Sequence, residues 1–249
     1  MSGYPPCGPL LRWRITSDVV SDSLVWLSSL EGVPSAYAAA RDGIDVVLRD
    51  RGMRRTTPAE TAASLLLGAH ASAVLAGSDS SWEEVSGGNG DDIARASVAI
   101  SAALLSLVPV ISTSPLQALA RIDVLAGGEG RPTTPEGAAR LQSVGTLLTS
   151  SAETPALLVA AIVHADLVAA APFDERSGLV ARAAERLVLA ARGVDPKSLI
   201  VPEAGHLALR PAYESNLRGY RDGGKAGVHA WCLYAAEAYA AGAEASPVR

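Results

Sequence analysis

An all-α fold is what this sequence predicts, and three observations predict it. Hydrophobic residues fill 49% of the 249 positions and aromatics only 4%, so the core must be built from alanine, leucine and valine. Small side chains of that kind suit closely packed helices better than sheets, where β-branched and aromatic residues prevail. The apolar positions recur at helical spacing, and no long alternating run marks a strand. Nor does any segment repeat at a fixed period, as a solenoid or propeller would require. A chain of this length holds one large domain or two small ones and can bury a substantial core.

The elements follow in order. Residues 1–15 read as an irregular, proline-bearing lead-in, followed by a helix over 16–31 that ends near Gly32 and Pro34, and another over 35–50. Thr57, Pro58 and Glu60 supply a cap, a first-turn proline and an early acid, which start a helix over 58–76. SDSSWEEVSGGNGDD (78–92) reads as loop, and its Gly88-Asn89-Gly90 triplet as a plain turn. Helices are expected at 91–108 and 114–126, then a turn-rich connector (127–137) and a helix over 136–151. The next helix covers 155–170. Another runs from 178 to 192, where Gly193 and Pro196 stop it. Two more end the chain, one finishing near Tyr220 and one over 228–242.

Charge and cysteine usage narrow the function classes. A net charge of −5 opposes a broad nucleic-acid surface, which needs clustered positive charge. Lys197 and Lys225 are the only lysines among 21 basic residues, a bias that fits a GC-rich genome, so an arginine gains weight only from its position. Cys7 and Cys232 cannot make a disulfide framework or a zinc site and suit a reducing cytoplasm. The start, MSGYPPCGPLLRW, lacks a basic and an apolar region in the order a signal peptide needs. The apolar runs 98–112 and 156–172 are broken by proline, or by His164 and Asp166, before about 20 clean residues. A soluble cytoplasmic protein without a membrane span is the expectation.

No P-loop, dinucleotide fingerprint or nucleophile elbow occurs. Asp166 lies two positions from His164 and so points elsewhere on a helix, while His70, His206 and His229 have no ligand at metal spacing. One stretch stands out. APFDERSGLVAR (171–182) sets a Pro-Phe pair, two acids, arginine and glycine between apolar helices, and Phe173 is the only phenylalanine. Pro172 ends the incoming helix. Ser177 is placed to cap the outgoing one, whose free N–H groups then face the loop. Such a terminus seats an anion, Arg182 can lean back toward it, and Glu175 can hold a divalent cation beside a phosphate. The plainer alternative is a solvated turn with a routine cap.

Here the chain resembles the Fic/Doc (Fido) family, whose helix–loop–helix motif reads H-P-F-x-[D/E]-G-N-G-R-x-x-R. Pro172, Phe173, Glu175, Gly178 and Arg182 stand in register with it, and His164 falls where the preceding helix often carries histidine. Tyr213, Tyr220 and Trp231 follow in the order of the family's later helices. SSLEG (28–32) is similar to the inhibitory pattern [S/T]-x-x-x-E-[G/N], keeping Glu31 and Gly32, with Leu27 at the Ser/Thr position. The resemblance implies a helical extension over 1–90 and a Fido-like domain over 91–249. It also implies a nucleotide seat at Phe173, Glu175, Arg176, Ser177, Gly178 and Arg182, filled by ATP or another nucleotide with Mg2+ on Glu175. Glu31 would then pair with Arg182 as an inhibitory contact.

The departures bear on activity. The family's histidine takes the proton from a target hydroxyl, which attacks the α-phosphate of ATP and receives AMP. Ala171 stands in its place and transfers no proton, so catalytic residues are none. Losing a general base removes on the order of 100- to 10,000-fold in rate, about 3–5.5 kcal/mol. Arg176 and Ser177 replace the cradle's glycine and asparagine, and Leu179 replaces its first arginine. If position 176 needs positive φ, arginine there costs roughly 1–2 kcal/mol. The reading is a non-catalytic nucleotide-binding or regulatory protein with a protein partner or target. The alternatives are a nucleotidyl or phosphoryl transferase without a histidine base, and a structural protein whose loop binds nothing. Nucleic acid and membrane are not expected partners, and a homo-oligomer stays open.

Overall fold

A computed structural model describes residues 26–50, 56–150 and 154–247. The lead-in, Cys7 and most of the helix expected over 16–31 lie outside the described residues. Those described are helical throughout, with no strand among them. The helices are α1 (Val33–Asp50), α2 (Pro58–Leu75), α3 (Trp82–Ser86), α4 (Asp92–Thr113), α5 (Pro115–Leu125), α6 (Pro135–Ser150), α7 (Ala156–Ala170), α8 (Ser177–Ala191), α9 (Pro202–Ala208), α10 (Arg210–Asp222) and α11 (Gly224–Glu244). A single 3-10 turn, Asp174–Arg176, precedes α8.

Helix α7 is the axis of the molecule. Every residue from Leu157 to Leu167 is buried, as expected of a helix that is apolar all round. It packs along α8, with α6, α10, α11 and α1 around it. Helix α11 carries α1, α9 and α10 on its flanks, while α2 packs on α4 and α9, and α4 also meets α8. One hydrophobic core joins Leu27, Ile44, Ile100, Leu119, Leu158, Leu187 and Tyr239, so residues on either side of position 90 share it. Small residues let the backbones close. A methyl built on Gly205 of α9 would lie 2.0 Å from the Ala238 carbonyl oxygen of α11, and the Val201 N–H donates to the Gly242 carbonyl.

Local chemistry explains most element boundaries. Thr57 and Glu60 form a reciprocal capping box at the start of α2, as the sequence indicates. The segment read as a loop contains α3, opened by a second capping box between Ser81 and Glu84. Helix α4 continues one turn past its expected end, through Pro109. A proline near a C-terminus removes one N–H but leaves the following turn intact, and the Thr113 hydroxyl closes onto the Pro109 carbonyl. By length and composition α4 is apolar enough to cross a membrane, and here Ile100, Leu104, Leu107 and Ile111 line its buried side.

Candidate functional site

The turn from α7 to α8 engages several of its own backbone groups. Ala171 ends α7 in the left-handed region, φ 43°, and its N–H donates to the Leu167 carbonyl. Asp174, at φ 52°, donates from its N–H to the Ala171 carbonyl. The Arg176 N–H donates to the Phe173 carbonyl and the Ser177 N–H to the Asp174 carbonyl, so the 3-10 turn feeds directly into α8. Ser177 does not cap forward as expected. It is the first residue of α8, and its hydroxyl accepts backward from the Phe173 N–H at 2.9 Å. Thr133 clasps the turn from outside: its N–H donates to the Pro172 carbonyl and its hydroxyl to an Asp174 carboxylate oxygen at 2.8 Å. Four of the amides around the expected anion seat, those of 173, 174, 176 and 177, already have acceptors within the turn.

The side chains assigned to that seat have separate surroundings. Phe173 is 1% exposed and serves as a core anchor. Glu175 is exposed on the 3-10 turn, and it belongs to no cluster of three metal-ligating side chains among the described residues. Arg176 has φ −77°, so it carries no left-handed strain, and it pairs with buried Asp123 at 3.2 Å. Gly178 lies beneath the Arg182 guanidinium, with a built methyl 3.3 Å from Nη1. Leu179 is buried, and Ala171 presents only a methyl to solvent.

Arg182 leans toward the helix start, as its position predicts, but meets protein there. Its Nε donates to the Ser72 hydroxyl at 2.8 Å, one Nη to the Ser72 carbonyl at 2.9 Å, and the other to the Tyr213 hydroxyl at 3.3 Å. The expected Glu31–Arg182 pair is corrected on this point. Glu31 is exposed in the turn before α1, where its carbonyl accepts from His229, and no ion pair joins it to Arg182 among the described residues. Ser72 of α2 holds the guanidinium instead.

Beyond Tyr213 lies a polar cluster that the sequence reading missed. His164 of α7, Glu185 of α8 and His206 of α9 are each 0% exposed. Both imidazoles face one carboxylate oxygen: His164 Nδ1 lies 2.8 Å and His206 Nε2 3.0 Å from Glu185 Oε2. The outer atom of each group meets a tyrosine hydroxyl. Tyr213 lies 2.9 Å from His164 Nε2, Tyr234 2.8 Å from His206 Nδ1, and Tyr239 donates to Glu185 Oε1 at 2.9 Å. Trp231, its indole N–H bonded to the Ala161 carbonyl, packs against both imidazoles.

The electrostatics follow from this geometry. Burial by itself would raise the Glu185 pKa, but the facing imidazoles override it and hold the group well below the usual carboxylate range. Burial pushes His164 down, against the pull of Glu185. A consistent proton pattern results: Arg182 donates to Tyr213, Tyr213 to His164 Nε2, and His164 Nδ1–H to Glu185. His206 Nε2–H donates to the same carboxylate and its Nδ1 accepts from Tyr234. Asp166 faces away from His164, toward Arg140 and the Tyr220 hydroxyl. One signal for the cluster was available in the sequence. Arg182, Glu185 and Arg186 stand at i, i+3 and i+4 on an Ala- and Leu-rich helix, and charges on a buried face require partners.

No protein-family model matches the chain, and no curated protein matches it. The fold and site define it as an all-α protein with an interior polar network.

Proposed function

We propose that the chain is a non-catalytic regulatory protein, a degenerate relative of the Fic type, that acts through a protein partner. One observation carries this reading: Arg182, the arginine that would reach a nucleotide's phosphates, is spent on Ser72 and Tyr213 inside the protein. The turn amides of 173, 174, 176 and 177 are likewise satisfied, and the Ala171 side chain offers no proton acceptor. Those engagements favour the regulatory form of the expectation over the nucleotide-binding form. They weigh in the same way against the transferase form, since positioning without a base still requires a phosphate seat.

Thermal unfolding with ATP, ADP, GTP and CDP, each with and without Mg2+, tests the proposal. A ligand at 100 times its Kd stabilises by about 2.7 kcal/mol, and no shift is expected from any of the four. Incubation with α-labelled ATP, alone and in lysate, should label nothing, and Ala171→His should not restore transfer. A saturable stabilisation, or a label that disappears in Glu175→Ala, would overturn the reading.

A further inference from the structure

The inward-facing atoms of the buried cluster also make a ligand set. We propose that His164, Glu185 and His206 bind one first-row divalent transition-metal ion, of which Zn2+ is the best-fitting probe, as a structural centre inside the helical core. His164 Nδ1, His206 Nε2 and a Glu185 oxygen lie within 4.8 Å of one another, although they come from three different helices. Two imidazoles and a carboxylate form a recurrent ligand set for such ions.

The surrounding shell has the form that metal ligands need. Each ligand's outer atom is held by its own hydroxyl: Tyr213 on His164, Tyr234 on His206 and Tyr239 on Glu185. Outer partners of this kind fix ring orientation and tune ligand basicity. Tyrosine hydroxyls serve as donor or acceptor, so they suit either proton arrangement. With an ion bound, each imidazole would carry its proton on the outer nitrogen and donate a hydrogen bond to the facing tyrosine oxygen, with no net proton released. Glu185 supplies the only negative charge among the three ligands, and Arg182 lies just beyond Tyr213. That balance disfavours Mg2+ and Ca2+, which need several oxygen ligands, and leaves ions bound mainly through imidazole nitrogen. Full burial makes the ion a cross-brace of α7, α8 and α9, loaded during folding.

The test uses the full chain expressed with zinc in the medium. Elemental analysis should find about one Zn2+ per chain, and Co2+ substitution should give visible ligand-field bands. His206→Gln should lose both. Should that variant fail to fold, Tyr234→Phe keeps all three ligands and removes one outer hydroxyl; its metal affinity should fall about 10- to 100-fold. A folded wild-type chain with no bound metal and no Co2+ bands overturns the proposal. So does metal content unchanged in a folded His206→Gln chain, or affinity unchanged in Tyr234→Phe.

Discussion

Tyr213 shows how much a single hydroxyl holds. It accepts a hydrogen bond from Arg182 and donates one to His164, so removing it strips a partner from two buried groups at once. Tyr213→Phe should cost about 1–3 kcal/mol in urea unfolding, the usual penalty for orphaning a buried donor or acceptor. The change should appear in the midpoint at constant slope. Ala171 is the converse case. Its φ of 43° strains any residue with a Cβ by roughly 1–2 kcal/mol, while glycine adds about 0.4–1 kcal/mol of unfolded-chain entropy. Ala171→Gly should therefore raise stability by up to about 1 kcal/mol, and a lower midpoint would contradict that account. Pro172 was legible as a helix stop, but the left-handed residue before it was not. Nothing in an alanine announces positive φ.

Among the helices, small residues decide how closely neighbours approach. The α9–α11 crossing works because Gly205 has no side chain: a methyl there would overlap the Ala238 carbonyl and sit 2.7 Å from the Gly242 nitrogen. Both obstacles are backbone and cannot step aside, so Gly205→Ala should destabilise by about 3 kcal/mol or more. Thermal unfolding would measure it, and a near-neutral result would mean that the crossing is looser than described. Helix α2 is bound differently, by polar ties. Ser72 meets Arg182, and the Ser64 hydroxyl accepts from Arg186, which also pairs with Glu203 at 3.0 Å. The starts of α2 and α3 are readable from Thr57-x-x-Glu60 and Ser81-x-x-Glu84, although the Ser- and Gly-rich composition around the second masks it. What α2 covers was not readable, since no local pattern in 58–75 names Arg182 as its partner.

At the scale of the molecule, the buried network links stability to pH. The His164 pKa is depressed by burial, so below the ordinary imidazole value of 6.5 the unfolded chain binds a proton that the folded chain resists. Stability should fall as pH drops through that range. Glu185, also depressed, adds a loss in the same direction in the lower window below its unfolded carboxylate value. Asp166 and Asp195, raised by burial, oppose both, because their folded forms hold protons more readily. Comparing metal-free wild type with metal-free His164→Gln, both in the presence of a chelator, isolates the imidazole. The stability advantage of wild type should shrink by on the order of 1 kcal/mol between pH 7.5 and pH 5, and a constant difference would contradict the assignment.

The sequence by itself determined the helical class, most helix limits and the break between α7 and α8. These depend on composition, spacing and caps within a few residues of each other. Only the tertiary structure decided where Arg182 points, that Glu31 stands apart from it, and that His164 and His206 share the Glu185 carboxylate. Those groups lie on separate helices, and which buried charge meets which partner is fixed by how whole helices cross, a quantity no local run of residues encodes.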